Sequence, residues 1–213
     1  MFQLLLDSHY LLFTTILTAL IISLTFHEYG HGITAKWFGD NTAEKMGRLT
    51  LNPLPHIDPV GLMMIIFIGF GFAKPVPTNP NNYTSRLAIP LVAAAGPAMN
   101  LVIAIVAINL YKLGLESGWT LFQGEGAQFF FTYLALINLL LMMFNLLPIG
   151  PLDGHYILPY FLPHKFAKSY IKHNLQYGTY ALLGLILLSF LGVPIFQYLF
   201  QFGQHLLQLI IFV

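Results

Sequence analysis

The chain has 213 residues, of which 57% are hydrophobic and only 8% charged; an ordinary soluble domain carries roughly 25% charged residues, so a water-soluble globular protein is excluded. Nine Lys and Arg against eight Asp and Glu leave a formal charge of +1, which offers no basic surface for a phosphate backbone and excludes nucleic acid as an expected partner. Cysteine is absent, which removes disulfides, thiol nucleophiles and Cys-based zinc sites and leaves His, Asp and Glu as the strong metal ligands.

No charged residue occurs between Asp7 and Glu28, between Arg86 and Lys112, between Glu125 and Asp153, or after Lys172. Each interval holds the ~20 apolar residues that cross a bilayer's hydrocarbon core. The first predicted spanning helix covers residues 10–33. Its first upstream charge is Asp7 and no small-residue cleavage site follows, so it reads as a retained helix and not a cleavable signal. Residues 47–54 and 71–78 mix apolar residues with Thr, Pro and Gly, and Lys74-Pro-Val-Pro is expected to be extended. Between these two segments lies an apolar run at 57–72 carrying Pro59, Gly61, Gly69 and Gly71. As a helix it reaches only ~24 Å, which predicts a re-entrant half-span. Further spans are expected at 87–111, 128–147 and 177–191. From Pro194 onward Gln197, Gln201, Gln204 and Gln208 form one polar stripe, which suits an interfacial helix or one returning across the bilayer with its glutamines facing the bundle.

The expected fold is thus an all-α polytopic membrane protein with about four transmembrane helices, a short re-entrant segment, and small β-strand or extended elements near the active site. One domain is expected over 1–213, with a core at about 10–157 and C-terminal helices at about 177–213. The basic residues support the half-span. If it turns back, Lys36, Lys45, Arg48, Lys74, Arg86, Lys165, Lys168 and Lys172 share one face and only Lys112 lies opposite, as the positive-inside rule requires. The amino terminus is then outside.

Chemistry enters at His27-Glu28-Tyr29-Gly30-His31, an H-E-x-x-H motif. Positions four apart share a helix face about 6 Å apart along the axis, so both imidazoles reach one ion, and zinc suits imidazole nitrogen. Glu28 lies beside that face, where it can take a proton from a water that the metal acidifies to a pKa of about 7. Two His and a Glu on a solvated helix would be unremarkable chance; inside a membrane helix they cost several kcal/mol without partners, and such residues mark function.

A catalytic zinc needs a third protein ligand and an open position. Glu116 and Glu125 belong to the outer loop and lie at the wrong depth. Asp40 and Glu44, with Lys45 and Arg48 nearby, read as a solvated, charge-balanced surface. Asp58 precedes Pro59 and suits a helix cap. Asp153, in Asn145-Leu-Leu-Pro-Ile-Gly-Pro-Leu-Asp-Gly, lies at the inner side, where Pro and Gly break the helix and let a carboxylate turn back toward the bundle. His56 is a rival on the same side, and His155 a candidate neighbour.

Taken together, H-E-x-x-H in a membrane helix, Ala95-Gly-Pro-Ala-Met-Asn100 and the Asn145 to Gly154 stretch resemble the site-2 protease family of intramembrane zinc metalloproteases. Leu51-Asn-Pro, His56-Ile-Asp-Pro and Phe72-Ala-Lys-Pro-Val-Pro with Asn79-Pro80 resemble its compact bacterial-type branch, and no insert is large enough for the PDZ or CBS domains of other branches. The resemblance extends to about residue 157. It implies His27, His31 and Asp153 on zinc, Glu28 as acid/base, and Asn100 holding the substrate backbone or the oxyanion, although an amide after a run of small residues also suits a bridge between helices. His155, where small residues are common, departs from the family.

The function so implied is zinc-dependent hydrolysis of peptide bonds in or near the transmembrane segments of membrane-protein substrates, at the cell membrane with the active site toward the cytoplasmic side. Its partners are a substrate with a transmembrane helix and the lipid bilayer; the sequence is silent on oligomeric state. The alternative is a metal-binding or transport protein using the same ligands, which would more often spread ligands along a path.

Overall fold

A chain in lipid must satisfy each backbone N–H and C=O within its own segment, which turns charge-free apolar runs into helices. The computed structural model describes residues 1–213 as nine α-helices: α1 (Phe2–Leu6), α2 (Tyr10–Trp37), α3 (Thr42–Lys45), α4 (Pro59–Ile68), α5 (Ala88–Glu116), α6 (Glu125–Asn145), α7 (Gly154–Ile157), α8 (His164–Phe190) and α9 (Ile195–Leu209). There is no strand. Of the strand or extended elements expected near the site, the structure has an extended segment over residues 70–79 with no ladder partner.

By length and composition α2, α5 and α6 can each cross a membrane. They pack on one another around Ala19, Ala104, Ala107, Ile108, Leu134, Ala135 and Leu139. Small residues let the backbones approach: a Cβ on Gly30 of α2 would lie 2.7 Å from the Ala95 carbonyl of α5. Between the three helices runs a buried polar chain. Asn138 Nδ2 donates to Ser23 Oγ at 2.7 Å, and Asn100 Nδ2 donates to Asn138 Oδ1 at 2.7 Å and to the Ser23 carbonyl at 3.3 Å. Each such bond contributes on the order of 1 kcal/mol in a membrane and permits only one register.

The half-span expectation corresponds to α4, ten residues long and thus ~15 Å. Asp58 caps it as expected, with Oδ1 accepting from the N–H groups of Val60 and Gly61 at 2.9 Å each. Gly69, at φ 88°, ends the helix in a left-handed turn. The chain then doubles back so closely that a Cβ on Gly71 would lie 2.6 Å from Ile65 Cγ1, and Lys74 N–H reaches the His56 carbonyl at 2.8 Å.

Two expectations need correction. Residues 177–191 are not a separate straight span but the second half of the 27-residue α8, which meets α9 at a bend of 91°. Helix α9 runs alongside α6. Phe196 lies 4.5 Å from Phe70 and 6.1 Å from Phe144 between ring centroids, Gly203 faces Leu136, Leu140 and Met143, and Asn109 Nδ2 donates to the Ile210 carbonyl at 2.7 Å. All four glutamines of α9 are exposed, and its Gly203 and Leu207 are buried instead, so the stripe turns away from the bundle.

The second correction is Asp40, which is 0% exposed and not on a solvated surface. Its Oδ1 accepts from Thr42 N–H at 3.1 Å and Asn82 Nδ2 at 2.8 Å, and its Oδ2 accepts from Asn79 N–H at 2.6 Å. Of the neighbouring charges, Glu44 pairs with Lys36 at 2.7 Å and not with Lys45 or Arg48. Burial pushes the Asp40 carboxyl up, but the bonds from Thr42, Asn79 and Asn82 outweigh it and hold it below the usual carboxylate range. Its contribution to stability is therefore complete above the ordinary value near pH 4 and is lost as pH falls through the lowered folded value. Asp40→Asn is expected to lower stability by about 1–3 kcal/mol at neutral pH and to flatten this acid-side dependence; thermal unfolding in detergent across that pH range measures both.

Candidate metal centre

The two histidines of the H-E-x-x-H motif sit one turn apart on α2, and their side chains converge because each outer nitrogen is held from behind. His27 Nδ1 donates to Asn100 Oδ1 at 2.6 Å and His31 Nδ1 donates to the Val92 carbonyl at 2.7 Å, both from α5. These bonds fix the tautomers, so both Nε2 atoms present lone pairs. The two Nε2 atoms are 3.0 Å apart. Gly96 is what allows this: a Cβ there would lie 2.6 Å from His27 Cε1 and would collide with the His31 ring.

The loop after α6 brings in Asp153, with Oδ2 3.3 Å from His27 Nε2 and Oδ1 3.4 Å from His31 Nε2. Gly154 is required for this approach, since a Cβ would meet the Leu147 carbonyl at 2.5 Å. One ligand atom from each of His27, His31 and Asp153 lies within 4.8 Å of the others. Two imidazole lone pairs therefore face each other beside a carboxylate, and the buried Asp153 Oδ2 has no hydrogen-bond partner. Nothing in the chain satisfies these atoms, and a single cation would satisfy all of them. Two nitrogens and one carboxylate are a donor set that zinc accepts.

Glu28 is buried beside the pair, and its Oε2 accepts the Val76 N–H at 2.7 Å. The segment that supplies this N–H is pinned by Arg48, whose Nη2 donates to the carbonyls of Lys74 at 2.7 Å and Pro75 at 3.1 Å. The Val76 side chain packs against α2 at Gly32. Glu28 Oε1 has no bond within the chain, so one oxygen is anchored and the other is available.

The remaining candidates fall elsewhere. Asn100 is fully buried behind His27, and its oxygen and both N–H groups are occupied by His27, Asn138 and Ser23, so it holds the imidazole and bridges helices. His56 is buried with Nε2 donating to the Thr50 carbonyl at 2.8 Å. Glu116 and Glu125 lie where α5 ends and α6 begins, at the opposite end of the bundle. His155, buried, accepts at Nδ1 from Asn174 Nδ2 of α8, and burial pushes its pKa down. Asn145 returns its amide to the Leu141 carbonyl at 2.9 Å. Sequence reasoning missed Arg48 and the pair of Ser23 and Asn138. Asn138 carried a usable signal, being an amide in the middle of an apolar helix.

The chain is similar in sequence to known peptidases. The pattern of peptidase family M50 matches residues 15–118 and 117–188. The Bacillus subtilis (strain 168) protein "Putative zinc metalloprotease YwhC" is 44% identical over 147 residues, which are 68% of this chain and 67% of that protein. The Mycolicibacterium smegmatis protein Rip2, named with the same description, is 32% identical over 148 residues, 67% of this chain and 55% of its own length. Rip2 of Mycobacterium tuberculosis is 31% identical over 148 residues, again 55% of its length. The match thus spans about half the length of the mycobacterial relatives. No solved structure matches the chain.

Proposed function

We propose, from the premise that the chain belongs to peptidase family M50, that it is a zinc-dependent endopeptidase cleaving other membrane proteins in or near their transmembrane segments. The observation that carries this reading is the set of facing lone pairs on His27 and His31 beside the unpartnered Asp153 oxygen, in helices apolar enough to cross a bilayer. His27, His31 and Asp153 would hold the ion, leaving a position open. When bound, zinc supplies Lewis acidity that polarises a carbonyl and makes water a competent nucleophile near pH 7.

The chain's own groups do the rest. Glu28 Oε1 takes the proton of the attacking water and later delivers it to the leaving amine nitrogen, while Val76 N–H keeps Oε2 from rotating away. Asn100 and the Val92 carbonyl keep the imidazole nitrogens deprotonated toward the centre. A substrate helix must first unwind, because its scissile carbonyl is already bonded within the helix. The Val76 and Pro77 carbonyls of the extended segment accept no bond within the chain and offer acceptors beside Glu28 to the N–H groups of an unwound substrate, at little demand on sequence. Lys36, Lys45, Arg48, Lys74 and Arg86 belong to the end of the bundle where α2 stops and α5 starts, and the positive-inside rule makes that end cytoplasmic.

The test uses the full chain in vesicles with a model membrane substrate whose transmembrane helix contains Gly and Pro. Cleavage is expected, to be lost with a chelator and restored by added zinc. Val76→Lys pries the segment from Gly32 and is expected to keep zinc but slow cleavage about tenfold, equivalent to one or two backbone hydrogen bonds. Unchanged turnover would remove the segment from substrate binding.

A further inference from the structure

Helix α8 carries two opposed stripes. Ala167, Tyr170, Asn174 and Gly178, at spacings of three, four and four, are buried or half-buried and meet the loop that carries Asp153. The Tyr170 hydroxyl donates to the Pro148 carbonyl at 2.9 Å, Gly150 N–H donates to Asn174 Oδ1 at 3.1 Å, and Asn174 Nδ2 donates to His155 Nδ1. Gly178 permits the contact, since a Cβ there would lie 2.9 Å from the Gly150 carbonyl.

On the other side lie Lys165, Lys168 and Lys172. At 100° per residue they fall within an arc of about 60°, centred roughly opposite the buried stripe. All three are exposed. The one Lys or Arg ion pair of the molecule is Lys36–Glu44, and no Asp or Glu follows Asp153, so these three charges have no partner within the chain. Phe161, Phe166 and Leu175 beside them are 79%, 64% and 73% exposed. A helix combining uncompensated lysines with exposed aromatic and aliphatic side chains matches an anionic lipid surface, not bulk water. The orientation fits, because α9 runs along the bundle at α6 and the 91° bend turns α8 away from that direction, toward the membrane plane.

We propose that α8 is a lipid-responsive lever: Lys165, Lys168 and Lys172 bind anionic lipid headgroups, and Tyr170 and Asn174 pass the resulting fixation of the helix to the loop that presents Asp153. This deepens the metal-site reading and rests on it only for the consequence at zinc; the lipid contact stands on α8 alone.

The experiment places the full chain in phosphatidylcholine vesicles with and without phosphatidylglycerol and reads three quantities: enrichment of phosphatidylglycerol around the protein, hydrogen exchange of the Gly150, Leu152 and His155 amides, and the rate of zinc loss to a chelator. Phosphatidylglycerol is expected to be enriched and to slow both exchange and zinc loss several-fold. Replacing all three lysines with Gln is expected to abolish enrichment and both responses, with headgroup affinity falling about fivefold per lysine, while zinc content at saturation stays unchanged. Asn174→Ala is expected to keep the enrichment and lose the response of the loop. Inorganic phosphate added to phosphatidylcholine vesicles is expected to do nothing. Equal enrichment around the parent and the triple variant, loop exchange indifferent to phosphatidylglycerol, or a full response to free phosphate would each overturn the proposal. If the parent binds no zinc, the metal-site reading fails while enrichment and exchange still decide this one.

Discussion

Glu28→Gln is expected to stop peptide-bond cleavage while leaving the zinc content of the protein unchanged. Glutamine keeps the length and shape of the side chain, and its amide oxygen can still accept the Val76 N–H that Glu28 Oε2 accepts at 2.7 Å. The extended segment and its Arg48 clamp therefore stay in place, and the histidine pair, held from α5 through Asn100 and Val92, is untouched. Only the basicity at the free oxygen is lost. Positioned general acid–base catalysis contributes typically 10²–10⁴-fold, so the rate on a reconstituted membrane substrate is expected to fall by at least about a hundredfold. Metal analysis on the same sample checks the other half of the expectation. A variant cleaving within tenfold of the parent would remove Glu28 from the proton transfers.

Asp153→Ala is expected to have the opposite signature, with zinc lost first and activity lost as a consequence. The two imidazoles alone leave a cation with half of a tetrahedral shell, and the carboxylate is the anionic member of the set. Changing a residue that merely orients a ligand typically costs 10–100-fold in metal affinity, and removing a ligand is expected to cost more than about a hundredfold. The fold has no need of this side chain, since Asp153 Oδ2 has no hydrogen-bond partner and the loop is held by Tyr170 and Asn174 through other atoms. Zinc titration with a competing chelator, with circular dichroism of the same protein, separates loss of the ion from loss of the helices. Retention of zinc at parental affinity would take Asp153 out of the shell.

The parts of this molecule visible in the sequence are those set by short-range rules or by solvent. The spacing of His27 and His31 is a property of one helix turn, the Asp58 cap reaches only to Val60 and Gly61, and the three bundle helices follow from where charges are missing. Asp40 shows the limit. Its near neighbours Glu44, Lys45 and Arg48 suggest a wet surface, yet the groups that enclose it, Asn79 and Asn82, come from about forty positions downstream and announce nothing locally. The course of α8 and α9 was hidden for another reason. Apolar length is scalar, and an apolar stretch ending in Leu191-Gly-Val-Pro194 reads the same whether it rises through the bilayer or bends by 91°. Asn100 lay between the two cases: the family resemblance brought it to the centre, and only the neighbours on α2 and α6 reveal that its amide is spent on His27, Ser23 and Asn138.

The amide-and-hydroxyl chain joining Ser23, Asn100 and Asn138 has a consequence for bilayers of different acyl-chain length. Hydrophobic mismatch strains a membrane protein by a fraction of a kcal/mol per Å and is relieved by tilting or sliding of its helices. Sliding α2 against α5 or α6 would break several interhelical bonds at once, so these three tilt as one body and the separation of the two imidazoles is insulated from thickness. The compliant parts are the ten-residue α4 and the bent α8–α9 pair, and α8 holds the loop of Asp153 through Tyr170 and Asn174, so lipid length is expected to reach the centre through the carboxylate and not through the imidazole pair.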